Sequence, residues 1–169
     1  MRILLVEDVA WDVELIQSAL ARLGTPFDVH TVATEEQFRA GLTEFQPDIV
    51  LADLSLPTFD GRTALRIARE MRRESPFIFV SGSIGEERAV ELMRSGATDL
   101  VVKHSLHRLA PVVERALREL ERRAEARRAM QALREAIDVL LDTKRSFKSK
   151  TLGELREKLQ RLVETTSWY

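Results

Sequence analysis

From Met1 to about Lys103, short apolar runs alternate with stretches in which apolar residues return every three or four positions. Residues 3–6, 27–32, 49–51, 77–80 and 100–102 have strand length and predict five β-strands. The first, third and fourth are almost continuously apolar, as parallel strands covered on both faces should be. Between them the spacing predicts helices over 11–23, 35–45, 62–73 and 86–95. The first carries Val13, Leu15, Ile16, Leu20 and Leu23 near one face and stops at Gly24. The second and third end before Pro47 and Pro76, and the fourth at Gly96. Five β–α repeats in sequence predict a doubly wound α/β domain with a parallel sheet, over residues 1–120.

The pattern then changes. After Pro111 there is no proline, and no glycine until Gly153, so 106–142 can form one long helix. Its apolar positions fall in two sets, Leu109, Val113, Ala116, Leu120 and Met130, Leu133, Ile137, Leu140, whose phases do not match. Between them lies a charged segment that is helical by propensity, with only alanine to bury. Thr151 and Glu154 suit a capping box for a last helix carrying Leu152, Leu155, Leu159 and Leu162. Residues 121–169 therefore read as a C-terminal α-helical extension, a hairpin or coiled-coil arm that pairs within one chain or makes a homodimer.

Charge divides the chain in the same place. The net charge of −1 conceals 11 basic against 17 acidic residues up to His104, and 15 against 10 beyond it. The absence of cysteine removes disulfides, thiolate metal sites and cysteine nucleophiles. No apolar run approaches the roughly 20 residues of a membrane span. The N-terminus reads as a buried strand and not as a signal peptide, so a cytoplasmic protein is expected, with no membrane partner.

In an open α/β sheet ligands collect at the carboxyl ends of the strands. Glu7 and Asp8 end the first predicted strand, Asp53 the third, Ser81 the fourth and Lys103 the fifth. One carboxylate at a strand end is commonly a helix cap, and Asp8 suits that role. Five polar groups at matching strand ends are not explained as caps. Crowded carboxylates repel one another unless a cation joins them, and an oxygen-only donor set favours Mg2+ or Mn2+. Such a cation and Lys103 would neutralise a phosphate, Ser81 would donate a hydrogen bond to it, and Asp53 would be the nucleophile.

The segments Val6-Glu7-Asp8, Asp53-Leu54-Ser55-Leu56-Pro57 with Asp60-Gly61, Val80-Ser81-Gly82 and Gly96-Ala97-Thr98-Asp99-Leu100-Val101-Val102-Lys103 resemble the receiver domains of two-component response regulators. The resemblance covers about residues 1–120. It implies a flavodoxin-like (βα)5 fold and phosphoryl transfer to Asp53 from a phosphohistidine of a sensor histidine kinase or phosphotransfer protein. It also implies Mg2+ ligation by Asp8, Asp53 and the Ser55 carbonyl, with Glu7 acting partly through water. Phosphoryl oxygens would be bound by Ser81, Lys103 and the Gly82 amide. The chain departs from the family at Leu100, where many receivers have an aromatic switch residue, and at His104, where proline is usual. A non-proline cis bond costs about 3 kcal/mol, so a trans peptide and a rearranged loop are expected there.

Trp11 either shields the site, meets the kinase or simply faces solvent. His104 reads as a solvated loop residue, and His30 and His107 form no ligand pattern. Lys144-Arg145-Ser146-Phe147-Lys148-Ser149-Lys150 reads as a solvated turn, with a nucleic-acid-binding tail as the alternative output. A phosphate-ester hydrolase of the haloacid dehalogenase type would need a second aspartate where Ser55 stands, so no multiple-turnover enzyme is expected.

Overall fold

The computed structural model describes residues 1–57, 59–72, 74–143, 153–155 and 157–161. The strands are β1 (Arg2–Val6), β2 (Asp28–Val32), β3 (Ile49–Ala52), β4 (Phe77–Ser81) and β5 (Asp99–Val102). They alternate with α1 (Ala10–Leu20), α2 (Glu35–Ala40), α3 (Gly61–Met71), α4 (Glu86–Arg94) and α5 (Leu109–Thr143). All neighbouring strands pair in parallel, in the order β2-β1-β3-β4-β5. The doubly wound topology expected from the alternation is therefore present, with the C-terminal helix following it.

The three strands with continuous apolar sequence are the three central ones, and the mixed sequences of β2 and β5 form the edges. Side-chain alternation divides each central strand between two cores. Leu4, Val6, Val50 and Phe79 face Phe38 of α2, Leu65 of α3 and Leu92 of α4. Ile3, Leu5, Leu51 and Val80 face Ile16 and Leu20 of α1 and Leu109 and Val113 of α5. Full burial of such side chains stabilises the fold by roughly 1.5–3 kcal/mol each.

The helices differ from their predicted bounds mainly at the ends. The first continues as a 3-10 turn, Ala21–Leu23, and the second as a π turn, Gly41–Phe45. Leu15 was expected on the core face of α1 but is 39 % exposed. Between β5 and α5 a 3-10 segment, Lys103–Arg108, replaces the start predicted for the long helix. It is broken at Ser105, whose backbone is non-helical, and the described residues contain no cis peptide bond. Leu100 packs with Ile84 against the core, and His104 is exposed.

The chain divides into two compact units, Met1–Leu120 and Glu121–Tyr169. In the second, Met130, Leu133 and Leu140 are half-buried and Ile137 is buried, so this predicted stripe is the covered face of its helix. Residues 153–155 and 157–161 are helical, with Leu155 exposed and Leu159 half-buried. The basic run 144–150, the capping Thr151, Leu152 and Leu162 lie outside the described residues.

Candidate functional site

Register carries the polar groups to one rim. Val6 of β1 pairs with Ala52 of β3, so the next residues in each chain, Glu7 and Asp53, emerge side by side. The Asp53 backbone N–H donates to the Val6 carbonyl at 2.9 Å, extending the pairing to the site. Ser81 closes β4 opposite Val102, and Lys103 follows at the end of β5. Glu7, Asp53 and Ser81 are buried, and Ser55 and Gly82 are exposed.

Lys103 joins this rim together. Its Nζ donates to Glu7 Oε2 at 2.8 Å, to Asp53 Oδ2 at 2.8 Å and to Asp12 Oδ2 at 2.6 Å. Glu7 Oε1 also accepts from the backbone N–H groups of Asp8 and Val9, both at 3.1 Å. Asp53 Oδ1 accepts from the Ser55 N–H at 3.2 Å. Ser81 Oγ has a long contact of 3.4 Å to the Ser83 carbonyl, which leaves its hydroxyl weakly held and able to turn toward a new acceptor.

The electrostatics follow from burial and this lysine. Burial pushes the Glu7 carboxyl above its ordinary range despite hydrogen bonds from Lys103 and the Val9 N–H. For Lys103, burial works against the charged form, but the hydrogen bonds to Asp12, Asp53 and Glu7 outweigh it. The ammonium is held well above the usual lysine range.

The structure brings Glu7, Asp53 and Lys103 together at the strand ends, and the third carboxylate on Lys103 is Asp12, which the sequence reading did not include. Oxygens of Glu7, Asp12 and Asp53 lie within 4.8 Å of one another. Asp8 is exposed, because consecutive residues leaving a strand point to opposite sides and Glu7 takes the inward one. Nor does Asp8 cap α1, whose N-cap position is Val9 with no side-chain cap. Asp12 escapes sequence reasoning because it lies in the first turn of a helix, where an acid is unremarkable. Its place in the first turn of the helix that leaves the rim, five residues after Glu7, was the available signal.

Asp60 and Gly61 support the site without entering it. Asp60 caps α3, accepting from the N–H groups of Arg62 at 2.9 Å and Thr63 at 3.0 Å and from the Thr63 hydroxyl at 2.8 Å. Gly61 lies so close to the Asp53 carbonyl and the Phe79 ring that a Cβ would overlap both. Its lack of a side chain lets α3 start directly against the Asp53 segment. Trp11, in the first turn of α1, is 67 % exposed.

Comparison with known proteins agrees with this geometry. The family model of the response regulator receiver domain matches residues 3–114. The regulatory protein AtoC of Escherichia coli is 33% identical over 133 residues, covering 78% of this chain and 28% of AtoC. The chain thus spans only about a quarter of the length of that regulator and of the LuxO regulators of Vibrio species. Among solved structures, the receiver domain of a putative LuxO repressor from Vibrio parahaemolyticus superposes with a TM-score of 0.67 at 24% identity. The match covers 74% of this chain and 95% of that one. The phosphorylated cyanobacterial phytochrome response regulator RcpA gives a TM-score of 0.57 at 29% identity, over 67% of this chain and 90% of that one. Since the family model spans about two thirds of its length, this chain belongs to the response regulator receiver domains of two-component signalling.

Proposed function

We propose that the protein is a phosphorylation switch in which Asp53 accepts a phosphoryl group from a phosphohistidine on a sensor histidine kinase or phosphotransfer protein. The observation that carries this is the Lys103 ammonium held 2.8 Å from Asp53 Oδ2 at the carboxyl rim of the sheet. A carboxylate oxygen of Asp53 forms a bond to phosphorus as the phosphorus–imidazole bond breaks, its electron pair leaving with the nitrogen. The product is a mixed anhydride. Lys103, Ser81 and the Gly82 N–H bind the phosphoryl oxygens. Water later attacks phosphorus, releasing phosphate and restoring the carboxylate, so no external substrate is turned over.

The donor set fits a hard divalent cation, because Glu7 and Asp53 present only carboxylate oxygens, close together and buried. Asp8, Asp53 and the Ser55 carbonyl would hold Mg2+ or Mn2+, with Glu7 acting partly through water and Asp8 reaching it from the exposed edge of the site. A cation bound there supplies charge neutralisation at the phosphoryl oxygens.

Residues 1–120 form the receiver domain and 121–169 the output arm, which dimerises or docks on a partner. We place its work in the cytoplasm, the expectation from its sequence; among the described residues no helix is long and apolar enough to cross a membrane. The test is labelling by a small-molecule phosphodonor with Mg2+. Wild-type protein takes up label that base and hydroxylamine release, as from an acyl phosphate, and Asp53→Ala takes up none. Undiminished labelling of the variant would overturn the assignment.

A further inference from the structure

Lys103 has three N–H bonds, and its three carboxylate contacts use all of them. The shortest, 2.6 Å, goes to Asp12, the one partner that does not stand at a strand end. The helix dipole favours an acid in the first turn of α1. That preference does not account for a carboxylate aimed at a lysine 91 positions away in the chain. The three carboxylates also differ in their access to solvent. The Asp12 side chain is 24% exposed, against 0% for Glu7 and 11% for Asp53.

We propose that Asp12 is a positioning residue that holds Lys103 back from the phosphoryl group of phosphorylated Asp53, and so limits how strongly that state is stabilised. The proposal rests on the reading of Asp53 as the phosphoacceptor. Phosphorylation removes the charge of the Asp53 carboxylate, so Lys103 loses that partner as the phosphoryl oxygens become available. Glu7 is fixed by burial and by the N–H groups of Asp8 and Val9. Asp12 has no such backbone contacts among those described, and it reaches solvent. It is therefore the carboxylate that competes with the phosphoryl group for the ammonium. Neutralising Asp12 transfers Lys103 to the phosphoryl oxygens.

The experiment titrates the full chain with beryllium fluoride, a mimic of the aspartyl phosphate, at saturating Mg2+. Wild type, Asp12→Asn, Lys103→Met and the double variant are compared. Asparagine has the shape of aspartate, so α1 is undisturbed. Asp12→Asn is expected to lower the half-saturating concentration about fivefold, the effect of losing one partly exposed ion-pair partner. In the Lys103→Met background the same substitution leaves the response where that background puts it. An equal gain in both backgrounds would be a general charge effect and would overturn the proposal, as would unchanged or weaker binding by Asp12→Asn. Mg2+ affinity without beryllium fluoride is read alongside. A loss beyond about a hundredfold in Asp12→Asn, more than a supporting residue costs, makes Asp12 a metal ligand and also overturns it. If wild type fails to respond, the phosphoacceptor reading falls and this proposal with it. If wild type responds and Asp12→Asn matches it, only the Asp12 proposal falls.

Discussion

At the scale of single residues, the site is a balance between one cation and three anions. Glu7 is buried, and its charge is tolerated because Lys103 and two backbone N–H groups answer it. Removing the lysine leaves that carboxylate without its cation, so Lys103→Met should cost about 2 kcal/mol at pH 7.5. This lies between the values for exposed pairs and for fully buried ones. The sign of the pH dependence follows from Glu7. Its folded-state pKa is already raised, and losing the lysine raises it further, so the folded variant binds a proton more readily than the unfolded chain. Stability from that protonation is present below about 4.5 and is lost as pH rises through the folded value. The deficit of Lys103→Met relative to wild type should therefore shrink when urea unfolding is repeated at pH 5. A deficit independent of pH would place the cost in packing instead.

At the scale of elements, α3 shows how a motif residue can serve structure. Asp60 is held below the ordinary carboxylate range; burial opposes this, but the Thr63 N–H, the Thr63 hydroxyl and the Arg62 N–H outweigh it. A depressed pKa contributes stability above the unfolded value, near 3.8, which is lost as pH falls through the folded one. Asp60→Ala should lower stability by about 1 kcal/mol at pH 7, as loss of an N-cap does. The difference from wild type should fade on acidification below about 3.8, as thermal unfolding at pH 7 and pH 3 would reveal. Asp60 and Gly61 were legible in the sequence as part of a motif. Their work as a cap and a point of close approach was not, since both depend on where α3 meets the Asp53 segment.

At the scale of the whole molecule, the question is how a change at Asp53 leaves the receiver. Leu100 is packed on the core with Ile84, so no aromatic ring stands at that position to rotate. We propose Ser81 and the loop before α4 as the switching element, because the long Ser81–Ser83 contact beside the site is readily exchanged. If the C-terminal arm makes dimers under this control, molar mass by light scattering should rise when beryllium fluoride joins Mg2+. It should stay constant in Asp53→Ala. A constant mass in wild type would assign the arm to partner docking in a protein of fixed oligomeric state.

The sequence by itself determined the five strands, their parallel winding and the strand-end groups Glu7, Asp53, Ser81 and Lys103. Each of these is a consequence of local periodicity, and every parallel strand must deliver its last residue to the same rim. Tertiary structure alone decided which acid reaches Lys103. Asp8 and Asp12 are both acids near the end of β1, and local pattern favours the one adjacent to Glu7. The strand's alternation turns Asp8 outward, while the first turn of α1 brings Asp12 back over the rim onto Lys103. That choice depends on the angle at which one helix packs on the sheet, a quantity set by the whole core and by no short stretch of sequence.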